Sequence, residues 1–424
     1  MAAVGDAAAP PAAWSRRSVW LSRIESPLAP YYLVLGSTLA LTAIGLVMVL
    51  SSSSVTSLKG GTGSSYTEFL NQARFAALAL PLAYLASRLP KRVWTRFAWP
   101  MLLVALVLQG LVFSPIGRGE GGNLAWIYVG GIVVQPAEVS KIALILWGAT
   151  VLARKRPLLD RTAHLLVPVV PAAFLVLGLV LLGRDLGTAM VLMAIVATLL
   201  FVAGAPLRWF VLTGGAMVTA VLALVTSSGN RSHRLQVWLS GCPDPQLLGC
   251  WQPAHGRYAL ATGGWWGVGL GGSREKWNYL PAAHNDYIFS IIGEELGLPG
   301  TLAVLALFAL LALGMYRLVV STDDLMVKIA TAGIFTWITL QAVINISVVA
   351  GLLPVIGLPL PLVSSGGSAL VTTLFALGIV VGFARRVPGA PEALAARGNV
   401  VKRSLAVVPI RVRRSPDPRA RSRS

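Results

Sequence analysis

The sequence predicts an all-α integral membrane protein with about ten transmembrane helices, and three observations support that prediction. Apolar residues make up 55% of the 424 residues, and charged residues make up only 12%. The mean hydropathy is +0.73, which is typical of membrane proteins. Along the chain, about ten apolar stretches approach the roughly 20 residues that a helix needs to cross a hydrocarbon core.

The predicted spans follow one another from residue 31 to residue 384, which we treat as one transmembrane domain. They cover residues 31–51, 69–87, 96–113, 139–153, 165–182, 187–204, 207–227, 286–318, 327–352 and 367–384. Glycine and proline inside several spans are tolerated, because neighbouring helices can satisfy the freed backbone groups. Residues 1–30 lack the apolar core of a cleaved signal, so we expect them to form an N-terminal tail in the cytoplasm.

The positions of lysine and arginine set the predicted orientation, because cytoplasmic segments near span ends collect these residues. Such residues precede span one, separate spans two and three, separate spans four and five, and follow span ten. Both termini are therefore expected in the cytoplasm. The outer connections would be residues 52–68, 114–138, 228–285 and 354–367, and the loop 228–285 between spans seven and eight is the largest.

The C-terminal tail, residues 385–424, carries eleven of the chain's 35 lysines and arginines. Its Arg, Ser, Pro and Ala content predicts disorder. Two interpretations stay open: contact with anionic lipid on the inner membrane surface, and binding of an acidic protein partner. Much of the net charge of +19 thus concerns topology, and nucleic-acid binding is not expected.

Several kinds of machinery are excluded by their missing motifs. A glycine-rich phosphate loop ending in Gly-Lys-Ser/Thr is absent, so ATP is not expected as an energy source. The four histidines are scattered and no His-Glu-x-x-His occurs, so a zinc site is not expected. Cys242 and Cys250 share the largest outer loop, where they could form a disulfide or remain two thiols with a structural role.

Four polar stretches interrupt the apolar pattern, and the stretch REKWNYLPAAHNDYIFSIIGEELG is the most informative. Its Asp286 is expected in the first helical turn of span eight, where the helix dipole favours a carboxylate. That position alone would make it a simple capping acid. Arg274, Lys276 and His284 lie just upstream, however, and could attract an anionic substrate and poise the carboxylate. Glu294 and Glu295 lie deeper and are expected to form structural pairs.

The other three stretches are GNLAWIYVGGIVVQPAEVSKIAL, RDLGTA and GLLPVIGLPLPLVSSGGSAL. In the first, Glu138 and Lys141 are three residues apart and can pair along one helix face. An internal ion pair and a direct substrate contact are both open. The three prolines of the last stretch forbid a continuous helix, so it should re-enter the bundle against protein or beside a wet cavity.

These stretches resemble the motifs of the SEDS (shape, elongation, division, sporulation) family of peptidoglycan polymerases, in the family's order. The motifs are QPAEVSK, DLGTA, KWNYLPAAHNDYIFSIIGEELG and GLLPVIGLPLPLVSSGGS, and the resemblance covers roughly residues 30 to 385. The form GLGGSREKWNYLPAAHNDYIF is more similar to the division member than to the elongation member. The long basic tail indicates an actinobacterial source.

The resemblance implies an inverting glycosyltransferase that joins lipid II units outside the cytoplasmic membrane, at the division septum, and releases undecaprenyl diphosphate. Asp286 would be the catalytic base. Lys276 and Arg274 would hold the diphosphates, with a divalent cation, Mg or Mn, as a candidate cofactor whose ligands the sequence does not identify. The other candidate substrate-binding residues are His284, Trp126, Glu138 and Lys141.

The same resemblance implies protein partners. The first is a class B penicillin-binding protein, an FtsI-like transpeptidase. Other divisome proteins follow, with FtsZ as the candidate for the basic tail. A lipid II flippase, a non-catalytic divisome scaffold and an elongation polymerase are the alternative functions.

The sequence also departs from the family pattern at four places. Leu124-Ala125 precede Trp126 where arginine is usual, and Gly183-Arg184 replace the usual Gln-Pro. Ala282 replaces a glutamate and Ser365 replaces a tyrosine. We assign no role to these positions, although Arg184 could restore a missing charge.

Overall fold

Helices dominate the part of the chain that the computed structural model describes, namely residues 26–57, 64–120, 122–159, 161–226, 229–242, 244–247 and 249–395. Each predicted span coincides with a helix, or with two short helices in the case of span five. In chain order the helices are α1 (Ala29–Ser57), α2 (Thr67–Arg88), α3 (Lys91–Leu111), α4 (Pro136–Arg154), α5 (Thr162–Leu166), α6 (Val169–Leu182), α7 (Leu186–Val202), α8 (Leu207–Thr226), α9 (Gly229–Leu239), α10 (Trp251–Gly263), α11 (Ile288–Ser321), α12 (Leu325–Val349) and α13 (Gly367–Ala384). A short 3₁₀ turn, Arg156–Leu158, follows α4.

Among the described residues, seven helical segments are long and apolar enough to cross a membrane. They are α1, α3, α4, the α5–α6 pair, α11, α12 and α13. Helix α7 is apolar but has only 17 residues. The all-α membrane fold is therefore confirmed, whereas the count of ten spans stays a prediction.

One small antiparallel sheet was not predicted. Its strands β1 (Gly117–Glu120), β2 (Asn123–Val129) and β3 (Ile132–Val134) pair in the order β1-β2-β3. Gly130 and Gly131 join β2 to β3 with φ angles of 57° and 85°. Two successive positive φ angles are what a type I′ hairpin turn requires, and glycine adopts them without strain.

Helix α11 is kinked at Gly297, where φ is 66°. The loop after α10 packs into this kink, and the backbone N–H of Val268 donates to the carbonyl of Glu294 at 2.9 Å. Helix α10 lies so close that a Cβ on Gly263 would meet the carbonyl oxygen of Gly293 at 1.9 Å. The loop before α11 is thus anchored well inside the bundle.

The proline-rich segment 350–366 between α12 and α13 contains no helix, as its prolines predicted. Its second half is nevertheless buried, and Leu360 and Val363 are 1% and 0% exposed. Helix α7 packs against it, since a Cβ on Gly187 would meet Ile356 Cγ2 at 2.9 Å. The prediction of a re-entrant segment packed on protein is confirmed.

The connections fall at two ends of the bundle. At one end, the basic end, Arg386 donates to the carbonyl of Arg88, and Lys91 pairs with Asp324. The sheet, the segment 229–285 and the re-entrant segment 350–366 meet at the other, the loop end, as described below. The predicted inner and outer connections thus group at two separate ends, and which end faces the cytoplasm stays a prediction.

The tail predicted from residue 385 begins as folded chain. Val387 and Ala390 are buried against the bundle, 7% and 0% exposed. The remainder of the predicted tail, residues 396–424, lies outside the described residues, as do residues 1–25 of the N-terminal tail.

Candidate active site

A turn over residues 284–286 carries Asp286 at the loop end. Its three successive carbonyl oxygens accept hydrogen bonds from Ser365 N, Ser364 Oγ and Asn345 Nδ2, at 2.9, 2.7 and 2.8 Å in that order. Helix α11 begins only at Ile288. The prediction that Asp286 lies in the first helical turn is therefore wrong: the carboxylate projects from a turn that the re-entrant segment and α12 hold in place.

The groups that hold this turn are themselves fixed. Gln72 on α2 donates to the carbonyl of Ser364 at 3.2 Å and accepts from the N–H of Gly366 at 3.1 Å. The amide of Asn345 also donates to the carbonyl of Leu358 at 2.8 Å. We call this set of bonds around residues 284–286 the clamp. Three other parts of the chain, α2, α12 and the re-entrant segment, thus determine where Asp286 lies.

The Asp286 carboxylate lies against the backbone of the re-entrant segment. A Cβ built on Gly357 would lie 3.7 Å from Asp286 Oδ2, and Gly357 itself has a φ of 80°. The next side chain, Tyr287, is fully buried, and a Cβ on Gly256 would meet its ring at 2.5 Å. Asp286 is half-buried by comparison. Its carboxylate therefore lies at the edge of the packed protein around Tyr287.

His284, predicted to contact substrate, lies two residues before Asp286 in the same turn. Burial lowers its pKa, and the negative charge of Glu68 acts in the opposite direction. Because the ordinary histidine pKa is about 6.5, the imidazole is neutral at pH 7. His284 can therefore offer a hydrogen bond to a substrate there, but no positive charge.

Glu138 and Lys141 form an ion pair of 2.8 Å inside the bundle, where they are 3% and 1% exposed. Lys141 also donates to Gln341 Oε1 at 3.1 Å, and Gln341 donates to the carbonyl of Pro359 at 2.9 Å. The internal ion pair, one of the two predicted alternatives, is confirmed. Through Gln341 the pair supports the re-entrant segment, and substrate binding by these two residues stays a prediction.

Lys276, predicted to hold a diphosphate, lies in a buried ion pair. Its ammonium donates to Glu295 Oε1 at 3.1 Å, the Gly271 carbonyl at 2.7 Å and Ser51 Oγ at 3.4 Å. Three contacts match the three N–H donors of lysine, and the side chain is 4% exposed. A diphosphate contact by Lys276 would require this buried pair to break.

The neighbouring residues follow the same pattern. Glu294 accepts from Ser273 Oγ and from the backbone N–H of Arg274. The prediction that Glu294 and Glu295 form structural pairs is thus confirmed. Arg274 has an exposed side chain, and its predicted contact with a diphosphate stays a prediction.

Trp126 lies half-buried on β2, opposite Arg118 of β1, and its role in substrate binding stays a prediction. The sheet docks on the turn before α7, where the N–H of Leu124 donates to the Gly183 carbonyl at 2.8 Å. A Cβ at residue 183 would meet the Leu124 carbonyl oxygen at 2.3 Å. Two of the positions that depart from the family pattern therefore contact each other, and this contact suits glycine at 183.

The segment 229–285 supplies residues that the sequence pattern did not single out. Arg234 on α9 donates to the carbonyl of Val355 at 3.4 Å, and Arg257 on α10 donates to that of Gly241 at 3.2 Å. Cys242 and Cys250 are joined in a disulfide with a Cα–Cα distance of 5.4 Å, which decides between the two predicted alternatives. The bond closes the loop between α9 and α10.

The described residues contain no preformed set of side-chain ligands for the predicted divalent cation. Within the described ranges, no three histidine, cysteine, aspartate or glutamate side chains converge in a way that could hold one. The described side chains alone therefore offer no three-ligand site; the predicted Mg or Mn ion stays a prediction, and no step below depends on it.

Comparison with known proteins places this site in context. The family model for the FtsW/RodA/SpoVE cell-cycle proteins matches residues 32–387. A protein of Mycobacterium tuberculosis named as a probable peptidoglycan glycosyltransferase FtsW is 40% identical over 393 residues, covering 92% of this chain and 74% of that one. A protein of the same name from Trichlorobacter lovleyi is 37% identical over 367 residues, covering 86% and 96%.

Solved structures agree with these relatives. A chain from a study of how a peptidoglycan synthase complex coordinates polymerization and crosslinking matches with a TM-score of 0.67 and 29% identity, covering 83% of this chain and 96% of that one. The rod-shape-determining protein RodA of Thermus thermophilus matches with a TM-score of 0.62 and 27% identity, covering 84% and 97%.

Proposed function

The chain belongs to the FtsW/RodA/SpoVE family of cell-cycle proteins, and on that premise we propose how the site around Asp286 works. The protein is a multi-pass membrane protein and a peptidoglycan glycosyltransferase of the FtsW kind. We propose that the loop end faces the outside of the bacterial cytoplasmic membrane at the division septum. There the enzyme would polymerise lipid II into glycan strands.

The observation that carries the mechanism is the clamp, which holds one half-buried carboxylate at the loop end. Asp286 would accept the proton of the acceptor sugar's 4-hydroxyl as that oxygen attacks the anomeric carbon of the donor. The new glycosidic C–O bond forms while the bond from the anomeric carbon to the diphosphate breaks. Configuration inverts, and undecaprenyl diphosphate leaves with the electron pair of the broken bond.

A fixed base suits this reaction for two reasons. A positioned general base contributes about 10²- to 10⁴-fold to the rate. Holding the base and the nucleophile in a near-attack geometry removes a further part of the barrier. Because the clamp bonds the carbonyls of the turn and leaves the carboxylate at its edge, the backbone can stay fixed while the side chain exchanges its proton.

The replacement Asp286→Asn tests this proposal. It preserves the shape of the side chain and removes its basicity, so polymerisation of labelled lipid II by the purified protein should fall about 10²- to 10⁴-fold. The protein should fold as the wild type does. Glycan strands of wild-type length made at the wild-type rate by Asp286→Asn would show that another group is the base.

The same assay separates the alternative functions when it is run in detergent and in vesicles. Polymer indicates a glycosyltransferase, movement of lipid II across the bilayer without polymer indicates a flippase, and neither indicates a scaffold. The turn holds the Asp286 carboxylate at one end of the bundle only, which favours the glycosyltransferase over the flippase and the scaffold. Division, as opposed to elongation, is supported by the relatives named FtsW.

We further propose that the protein works in a complex with a class B penicillin-binding protein, an FtsI-like transpeptidase. The similar chain from a peptidoglycan synthase complex supports this partner. Co-expression should raise the polymerisation rate, and equal rates with and without the partner would contradict an obligate complex.

The basic tail would serve recruitment, by binding anionic lipid or a divisome protein such as FtsZ. Removing residues 396–424 while keeping the packed residues 385–395 should leave polymerisation unchanged and weaken concentration at the septum. Normal recruitment of the shortened chain would contradict this role.

A further inference from the structure

A small cavity lies between α9, α10, the end of α12 and the start of the re-entrant segment. Its volume is about 50 Å³, which is room for about three or four waters and so for one phosphate or carboxylate group. Arg234 and Arg257 line it from two different helices, and Trp238 lines it beside Arg234.

The charged side chains that line this cavity are all positive. The described residues that line it include these two arginines and no carboxylate. The hydrogen bonds described above from Arg234 and Arg257 go to backbone carbonyls, and a carbonyl neutralises no charge. Arginine has five N–H donors in a planar fork that matches the oxygens of phosphate and carboxylate groups. Two such groups facing one cavity favour an anion.

The cavity also lies next to the clamp. Val355, whose carbonyl binds Arg234, is two residues from Gly357, the residue against the Asp286 carboxylate. On α10, Gly256 precedes Arg257 and packs on the ring of Tyr287, the residue after Asp286. A substrate anion held by the arginines would therefore lie close to the proposed base.

The walls of the cavity are braced. Trp238 Nε1 donates to the Gly351 carbonyl at 3.0 Å, which ties α9 to the beginning of the re-entrant segment. Cys242, one half of the disulfide, forms part of the lining. The two guanidinium groups are thus carried by parts of the outer loop that are fixed to the bundle, which is what an anion-binding site requires.

We propose that Arg234 and Arg257 form an anion subsite for the lipid-linked substrate, which rests on the proposed function. The ligand is a phosphate or carboxylate oxygen, supplied either by the diphosphate or by the stem peptide of lipid II. Arg234 and Arg257 are binding residues in this proposal, and Asp286 remains the base. They take over the cationic role that the buried Lys276 does not offer in this structure.

Binding of two soluble probes to the purified full-length protein distinguishes the sources of the anion. Farnesyl diphosphate carries the diphosphate without sugar or peptide, and the disaccharide-pentapeptide carries the peptide carboxylates without diphosphate. Arg234→Gln and Arg257→Gln should each weaken binding of the same probe about 10- to 100-fold, the range expected for one hydrogen bond between charged groups. The affected probe identifies the source.

Two controls make the result specific. Arg118→Gln removes an exposed arginine from β1, outside the cavity lining, and should change the affinity for either probe less than about twofold. Arg257→Lys keeps the charge and should bind more tightly than Arg257→Gln, which separates loss of charge from loss of fold. Wild-type affinity for both probes in Arg234→Gln and Arg257→Gln, or equal weakening by Arg118→Gln, would overturn the subsite.

The test does not depend on catalysis, so its failure differs from failure of the proposed function. Asp286→Asn should lose polymerisation and still bind the probe through the two arginines. If the wild type makes no polymer but its probe binding still depends on Arg234 and Arg257, the glycosyltransferase mechanism is wrong and the anion subsite stands. If the wild type makes polymer and the arginine variants bind and polymerise as it does, only the subsite is wrong.

Discussion

Replacing Asn345 by alanine should slow polymerisation without lowering the affinity for lipid II, because Asn345 holds the turn that carries Asp286. Its side-chain amide donates two hydrogen bonds, to the carbonyl of Asp286 and to the carbonyl of Leu358, both at 2.8 Å. Asn345 is 2% exposed, so water does not readily replace it. The substitution therefore loosens the clamp directly behind the proposed base.

The size of the effect follows from these contacts. A typical hydrogen bond contributes about 1 kcal/mol net, and a buried acceptor left without a donor costs about 1–3 kcal/mol. Two bonds are lost, but Asn345 Oδ1 is itself buried without a partner among the described residues, and removing it offsets part of the loss. We expect a net local loss of about 2–4 kcal/mol. Since a displacement of about 1 Å can lower a rate about 10²-fold, kcat should fall about 10- to 100-fold.

The assay is steady-state polymerisation of labelled lipid II, which separates kcat from KM. Thr336→Val is the matched control. It removes a partly buried hydrogen bond on the same helix, between the hydroxyls of Thr336 and Thr198 at 2.8 Å, and this bond lies away from the clamp. It should lower stability by about 1 kcal/mol and leave kcat unchanged. A higher KM with wild-type kcat in Asn345→Ala would mean that Asn345 binds substrate, and unchanged kinetics would refute its positioning role.

Three further outcomes follow from other contacts. Lys276→Met should lower the free energy of unfolding by about 3–5 kcal/mol, because it leaves Glu295 charged and buried. The double variant Lys276→Met with Glu295→Leu should recover much of that loss. Equal melting temperatures for the single and the double variant would contradict the ion pair's role. Reducing the Cys242–Cys250 disulfide should remove about 2–3 kcal/mol of stability, as expected for closing a short loop, and a melting temperature that reductant does not change would contradict this. Because burial lowers the pKa of His284, the folded protein takes up its proton less readily than the unfolded chain, so the melting temperature should fall as pH drops below about 6.5. His284→Gln should flatten that pH dependence, and an unaltered slope would assign it to other groups.

The helices could be predicted from the sequence because the signal for each is long. A run of about 20 apolar residues leaves a helix as the main way to satisfy the backbone in lipid, and every predicted span proved helical. The sheet lacked such a signal, since β1 and β3 have four and three residues. Helices α9 and α10 were likewise hidden in a polar loop whose order depends on docking against the bundle.

The proposed catalytic carboxylate could be chosen from its motif, but its surroundings could not be predicted. The sequence places Lys276 and Asp286 in one stretch, which predicts that they act together. The chain folds back, however, and the Lys276 ammonium pairs with Glu295. Sequence proximity does not show which groups face each other across a turn. Gln341 and Asn345 did leave a usable signal: two amides four residues apart inside an apolar span share a helix face, and polar residues inside a membrane span are often functional.

The way in which distant segments meet around residues 284–286 also has a consequence for the synthesis of the protein. Gln72 bonds to Ser364 across 292 residues of sequence, and Ser364 bonds back to Asn285 across 79. While a ribosome has delivered only the first eight spans to the membrane, the chain already contains Asp286 and Gln72 but not Asn345, Ser364 or Ser365, which bond directly to its turn. The activity would therefore be switched on by completion of translation, when the last helices enter the membrane, and a chain truncated before residue 364 would be inserted but inert.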